Sequence, residues 1–328
     1  MTRLFDKTFW GLTIGLVALF ALNFLLEEWM RSIGLQSLSR GCVAIGLLVL
    51  WRTGLVSFGH ALFFGFGAYT VAMLQIIGVN DIILLLIGGC ATAGLLALVL
   101  GFLLRQYRAI FFALLNMAFS MILYGVLAKV EALGSTDGIG INQVSFFGFV
   151  PSDGSYRPTL FIFAVIFAYI AAVGSHWYLK STLGLMTMAV RENEIRVEYL
   201  GYSAEKAIHI KYVLSGVLAG MGGVIMALTI GHVDPDSMVY WTVSGDFVFI
   251  TILAGTGNVG ATFIGALVYE LLRTYAFEFA PEIWQLILGG SLLLIIMFLP
   301  DGLWSIRSEW RNRRALAAAK SGDAPTGE

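Results

Sequence analysis

The sequence predicts an all-α membrane protein, a polytopic helix bundle of about ten transmembrane or partly spanning helices, with eight to ten full crossings. Three observations carry this reading. Of the 328 residues, 58% are hydrophobic and only 12% charged, about half the charge of a soluble globular protein. The mean hydropathy is +0.84. The apolar residues fall in runs of membrane-spanning length, separated by short polar breaks. Such a chain cannot cover a water-facing surface, and lipid is the natural solvent for its exterior. The net charge of −1 gives no basic signature for nucleic acid, so no nucleic-acid partner is expected. Cys42 and Cys90 lie inside apolar runs and read as small buried hydrophobes, not as a disulfide or a metal site.

The candidate spans fall at about 9–26, 40–51, 59–77, 82–104, 109–128, 158–179, 213–230, 244–254, 260–277 and 283–299. The first follows a basic start but ends in "LLEEWM" instead of a small-residue cleavage site, so it reads as a retained helix. The runs at 40–51 and 244–254 are too short to cross without tilt or neighbours, and either could be re-entrant or broken. Cytoplasmic loops are enriched in Lys and Arg. With the N-terminus inside and ten crossings, fifteen Lys and Arg fall inside and five outside: Arg31, Arg40, Lys129, Arg157 and Arg273. Both termini are then cytoplasmic, and the loops at 129–157 and 231–243 face outward. No extramembrane piece is long enough for a domain. Residues 1–306 read as one transmembrane unit, and 307–328 as a basic then disordered cytoplasmic tail.

Several patterns resemble chemistry. "GTGNVG" at 255–260 matches a dinucleotide-binding spacing, but that pattern needs a preceding strand and a βαβ unit. Here apolar spans flank it, so a tight glycine turn is the better reading. The four histidines show no i, i+4 pair and no helical metal site. His60 stands apart, within "GLVSFGHALFFGFGAYTVAML" at 54–74. A polar group at membrane depth faces the protein interior or a water-filled cavity. His60 therefore has two readings, a hydrogen-bonded residue at a helix start or part of a translocation pathway. Residues 52–59, with Ser57 and Gly59, read as a helix broken at depth, a recurrent way of building substrate sites. Asn116 and Ser120 lie one helical turn apart and share a face. That face could line a pathway or tie two helices together. Glu270 and Arg273 could pair at i, i+3.

No G-x-x-x-x-G-K-[ST] loop occurs, so this chain is not expected to hydrolyse nucleotide or carry a cofactor. No nucleophile–base pair or metal cluster suggests a membrane enzyme. A self-sufficient transporter or channel would commonly bury ion-relay carboxylates in its spans, and few are present. The membrane subunit of a transporter powered by another chain needs a cytoplasmic handle. Residues 188–212, "MAVRENEIRVEYLGYSAEKAIHIKY", concentrate eight charges in an otherwise apolar protein. Residues 191–200 lack Gly and Pro and read as a short helix, with a favourable Glu192–Arg196 pair. Val190, Val197, Ile195 and Tyr199 supply apolar contact points. Gly201 reads as its left-handed terminator, and Ser203 as the cap of a second helix. An ordinary solvated loop is the alternative.

These stretches together resemble the LivM-type permeases of bacterial branched-chain amino acid ABC importers, over nearly the whole chain. The 54–74 block is similar to the family's "SLGHAAFFGIGAY". "FFALLNMAFSMILY" followed by "LGSTDGIGI" is similar to its "TLAF" helix and outer loop. The charged segment resembles its "RENExxAxxLG", and "ILAGTGNVGATFIGAL" with "FLPDGLW" resembles its late glycine block and C-terminal "PxGL". The resemblance implies a multi-pass importer subunit of the bacterial inner membrane. It also implies a homologous LivH-like second permease, two cytoplasmic ATPases that bind ATP and Mg, an external substrate-binding protein and surrounding lipid. It assigns Arg191, Glu192, Glu194, Ile195, Glu198, Tyr199 and Gly201 to ATPase coupling. Ser57, Gly59, His60, Asn116 and Ser120 become pathway candidates. Where the family commonly has "AA" this chain has Val197 and Glu198, which suggests a contact tuned to a particular ATPase. Similar permeases serve urea, short amides and aromatic acids, so these remain alternative substrates to branched-chain and other small amino acids.

Overall fold

Each apolar run becomes a helix, and one of those helices organises the others. The computed structural model describes residues 6–299 and 302–305. Positions 300–301 of the C-terminal "FLPDGLW" stretch, Arg3 and the tail at 307–328 lie outside the described residues. In order, the helices are α1 (Lys7–Leu22), α2 (Glu28–Trp51), α3 (His60–Ile76), α4 (Ile82–Leu104), α5 (Ala109–Leu127), α6 (Asp153–Lys180), α7 (Thr182–Glu192), α8 (Glu194–Tyr199), α9 (Ala204–Ile230), α10 (Pro235–Met238), α11 (Trp241–Ala254), α12 (Ala261–Phe279) and α13 (Trp284–Phe298). The described strands, β1 (Ile139–Gly140) and β2 (His232–Val233), pair antiparallel. The protein is an all-α polytopic bundle, and six of its described helical segments are long and apolar enough to cross a membrane.

Helix α9 packs against α2, α3 and α4. The α4 face runs Gly89, Ala93, Ala97, Gly101, and the facing side of α9 runs Val224, Gly220, Gly216, Tyr212. Both stripes have the four-residue spacing that keeps side chains on one helix face. A Cβ on Gly216 would lie 2.5 Å from Ala97 Cβ, and one on Gly101 would lie 2.8 Å from Tyr212 Cδ1. On another side, Gly223 sits against the backbone carbonyl of Phe64 in α3, and Gly67 against Gly220. A Cβ on Gly46 of α2 would come 2.8 Å from the Ser215 carbonyl oxygen. In lipid, where hydrophobicity does not drive helices together, such close backbone approach supplies the association energy.

Two expectations about span length are corrected. The run at 40–51 is the second half of α2, a 24-residue helix and a candidate full span. Around the middle of the helix lie Ser37, Ser39 and Arg40, all buried, so hydropathy against lipid is the wrong measure there. The run at 244–254 belongs to a 20-residue apolar segment, Pro235–Ala254, bent between α10 and α11. Arg40 and Arg273 therefore sit inside α2 and α12, not in outer loops.

The two ends of the bundle are distinct. At one, Arg52 Nη2 donates to the Thr256 carbonyl at 3.4 Å and Asn258 Nδ2 to Thr8 Oγ1 at 3.2 Å. There Asp6 caps α1 and takes His176 and Lys180 as partners. At the other, Tyr124 donates to Asp236 and Asn142 N–H to Gln75 Oε1, both at 2.9 Å. Partial burial opposes ionisation of Asp6, but Lys180, the Phe9 N–H and His176 outweigh it and hold the carboxyl down at about 2. A depressed carboxylate stabilises fully above its ordinary value of 3.8 and loses that contribution as pH falls towards about 2. In Asp6→Asn, the acid-dependent fall of the unfolding midpoint across that window is expected to shrink.

A Cβ on Gly223 would overlap the Phe64 carbonyl oxygen, whereas one on Gly289 of α13 meets nothing within 4 Å. Gly223→Ala is expected to lower stability by ~1–3 kcal/mol or more. Gly289→Ala is expected to be neutral or to stabilise by up to about 1 kcal/mol. Thermal unfolding of the purified variants in detergent measures both.

Candidate functional site

The charged segment folds as three short, capped pieces. Ser181 caps α7 by accepting from Gly184 N–H. The helix read at 191–200 is interrupted at Asn193, whose side chain accepts from Arg196 N–H at 2.9 Å and starts α8. Glu192 and Arg196 consequently lie on different helices, and no ion pair joins them among the described residues. Gly201 takes φ +85, and its N–H donates to the Glu198 carbonyl at 2.9 Å, as a left-handed terminator does. Ser203 then caps α9 by accepting from Lys206 N–H.

The segment is held by residues that local spacing did not reveal. Arg108, in the α4–α5 connection, grips Glu194 with two parallel hydrogen bonds of 2.9 and 2.5 Å. Arg105, from the same connection, pairs with Glu205 at 3.2 Å. The two pairs lie on either side of the Gly201 turn. Val190 and Val197 are buried beneath the segment. Ile195, Tyr199 and Leu200 are 65%, 88% and 71% exposed, beside the exposed charges of Arg191, Glu192 and Glu198. The segment thus offers an apolar tip framed by charges.

Above it lies a buried polar layer. The chain leaves helical geometry between α2 and α3, and α3 begins inside the protein. Its Ala61 N–H, an orphan donor of a helix start, is met by Ser244 Oγ of α11 at 2.9 Å. Ser57 Oγ accepts from Gly59 N–H. Gly59 lies so close to the Asn116 backbone that a side chain there would overlap it. Asn116 Oδ1 accepts from Tyr212 Oη at 2.5 Å, and His60 Nε2 lies 2.5 Å from Ser215 Oγ. Ser120 donates to the Val239 carbonyl at 2.7 Å. Ser57, His60, Asn116 and Ser120 are all fully buried and bonded to protein groups. Tyr212, Ser215 and Ser244 join them unpredicted, as does Lys211, whose fully buried Nζ has no hydrogen-bond partner among the described residues. The Lys211, Tyr212, Ser215 spacing along one helix was the available signal.

The expected Glu270–Arg273 pair is replaced by a longer-range arrangement. Arg40 of α2 lies between Glu270 of α12, with Nε 2.5 Å from Oε1, and Asp246 of α11 at 3.4 Å. Arg273 instead stacks over the Trp284 ring. The 255–260 stretch is a turn between α11 and α12, with Gly255 at φ +81. It has helix, not strand, before it.

The family described as branched-chain amino acid transport system / permease component matches residues 30–297. The chain belongs to this family. It is 28% identical over 287 residues to the high-affinity branched-chain amino acid transport system permease protein LivM of Escherichia coli (strain K12), covering 80% of this chain and 66% of that protein. It is 26% identical over 312 residues to the LivM of Salmonella typhimurium, covering 88% and 73%. A shorter likeness, 33% over 119 residues, is to the nucleoside ABC transporter permease protein NupB of Lactococcus lactis, covering 35% and 30%. No solved structure matches. The permease is accordingly a multi-pass protein of the inner membrane and a membrane component of a transporter.

In the permease, Glu194→Arg is expected to loosen 188–203, read as faster amide exchange or proteolysis there. The pair Glu194→Arg with Arg108→Glu is expected to recover most of the loss. The isolated half-exposed pair accounts for up to about 1 kcal/mol, so the change should be local to the segment and leave the global midpoint nearly unmoved.

Proposed function

We propose that this permease is the transmembrane subunit of an ABC importer that moves branched-chain or other small amino acids into the cytoplasm. The observation that carries the reading is the exposed tip of Ile195, Tyr199 and Leu200 on a charged, capped segment joined to α9 by the Gly201 turn. Such a tip is a handle for a second protein, since aromatic and aliphatic anchors ringed by charge form the energetic centre of interfaces. Family membership and the likeness to LivM support the substrate class. In this reading the end of the bundle bearing Arg52, Arg105, Arg108, Lys180 and Arg191 is cytoplasmic, with both chain termini there, as the positive-inside bias requires.

Residues 191–201 dock on one of two ATPases, which bind ATP and Mg and perform the hydrolysis. A homologous second permease completes the pathway, and an external binding protein delivers substrate to the end bearing β1 and β2. Ser57, Gly59, His60, Asn116 and Ser120 form the part of the pathway wall contributed here, closed in the present conformation. Residues 1–306 act as one transmembrane unit.

Substrate-loaded binding protein should stimulate ATP hydrolysis by the assembled complex. Gly201→Pro and Glu198→Lys are expected to abolish that stimulation while basal hydrolysis persists. Normal transport and stimulation in both variants would overturn the coupling assignment. Asn116→Leu leaves the Tyr212 hydroxyl unpaired, a loss of ~1–3 kcal/mol, and with His60→Ala is expected to lower uptake at equal expression. Unchanged uptake and substrate range would reduce the layer to packing. The copurified binding protein is expected to bind leucine, isoleucine or valine in preference to urea, short amides or aromatic acids.

A further inference from the structure

A groove of about 460 Å3 runs along the outside of the bundle, away from the polar layer and the charged segment. Gly11, Gly15 and Leu19 of α1 form one wall, Ala168 and Ala172 of α6 another, and Phe263 of α12 the third. Glycines four residues apart on a membrane helix ordinarily admit a second helix. Here a Cβ on Gly11 or Gly15 would meet nothing within 4 Å. The lining is mostly apolar, the Tyr169 hydroxyl within it is bonded to Thr13, and its one charged side chain lies at one end. There lie Lys7, Thr8 and Asn258, with Trp304 beside them. Thr8 and Asn258 are hydrogen-bonded to each other. Lys7 is exposed and forms no ion pair among the described residues, while its neighbour Lys180 is already engaged by Asp6.

The dimensions and the charge select the occupant. From Lys7 to Leu19 the helix rises roughly 18 Å at 1.5 Å per residue. The hydrocarbon of one leaflet is about 15 Å deep, half of the ~30 Å core. A cation and two polar side chains thus sit at headgroup level, and a channel of small and apolar residues runs one leaflet deep beneath them. A transmembrane helix from another protein would need a groove running both leaflets and no isolated cation at its rim. In sequence, Trp304 is followed at once by Arg307, Arg311, Arg313 and Arg314, a basic run of the kind that gathers anionic lipid.

We propose that this groove is a binding site for a single anionic phospholipid, one acyl chain lying along Gly11 and Gly15 and the phosphate meeting Lys7, with Thr8 and Asn258 beside it. A bound lipid stitches α1, which packs against α6, to α12 across the groove. The site is independent of the transport reading.

The test is native mass spectrometry of the full-length protein, purified with the subunits that accompany it and exchanged into mixed micelles of palmitoyl-oleoyl phosphatidylglycerol and the matching phosphatidylcholine. The wild type is expected to retain phosphatidylglycerol about fivefold over phosphatidylcholine, the preference set by one membrane-surface cation. Lys7→Gln should abolish the preference while still retaining lipid. Gly11→Leu with Gly15→Leu should lose retention of both lipids, whereas Gly289→Leu with Gly290→Leu on α13 should retain them as wild type does. Equal retention in the filled-groove variant, no preference in the wild type, or a preference that survives Lys7→Gln each overturns the proposal. So does a disulfide from Gly15→Cys to a copurifying subunit, which would make the groove a protein interface. Matched unfolding midpoints for Lys7→Gln and wild type keep the headgroup arm interpretable if the leucine variant folds poorly.

Discussion

The structure depends on one constraint, the backbone-level approach of α2, α3 and α4 to α9. Lipid gives apolar helices no hydrophobic reason to associate, so contact must come from dispersion at close range. The facing stripes of α4 and α9 provide it through Gly89, Ala93, Ala97 and Gly101 against Val224, Gly220, Gly216 and Tyr212. The position of α3 follows, because Gly223 leaves room for the Phe64 carbonyl and for nothing larger. Since α9 begins at the Ser203 cap, directly after the Gly201 turn, and carries Tyr212 and Ser215, this packing ties the charged segment to the polar layer through that turn and one helix.

The second constraint is the cost of an unpaired polar group away from water. Breaking the chain between α2 and α3 exposes donors at depth, and two of them are answered by side chains, one from another helix and one from within the break. Ser244 takes the Ala61 N–H, and Ser57 takes the Gly59 N–H. Asn116 both accepts from Tyr212 and donates to the Phe112 carbonyl. The buried guanidinium of Arg40 is treated the same way, held between carboxylates from α11 and α12. These polar contacts join helices far apart in sequence, so the interior is specified by pairing as well as by size.

What could be read from the sequence was local or lipid-facing. Helices α4 and α5 expose most of their surface and announce themselves by hydropathy. Gly201 and Ser203 act within one turn of themselves, so their capping roles were legible. His60, Asn116 and Ser120 stood out because polar residues are rare at depth. The first half of α2 was hidden because Ser37, Ser39 and Arg40 face protein, and hydropathy measures only the cost of facing lipid. The interruption at Asn193 was missed because 191–200 lacks Gly and Pro, yet an asparagine that caps a helix can divide it as well. The grip of Arg108 on Glu194 and of Arg40 on Glu270 spans 86 and 230 residues of chain (194 − 108 and 270 − 40), and no local spacing encodes such pairs.

The central claim is that α8, the Gly201 turn and α9 move as one body, braced by the Arg108–Glu194 and Arg105–Glu205 pairs, so that force applied at the charged segment reaches the polar layer undiminished. It is tested most directly by distances between spin labels at Tyr199→Cys and Ile230→Cys, in the assembled transporter with and without ATP. A third label, on the proposed second permease, reports whether the complex has moved at all. The account predicts an unchanged distance from 199 to 230 while the distance to the label on the proposed second permease shifts. A change between 199 and 230 when ATP binds would contradict it, because the segment would then hinge at the Gly201 turn.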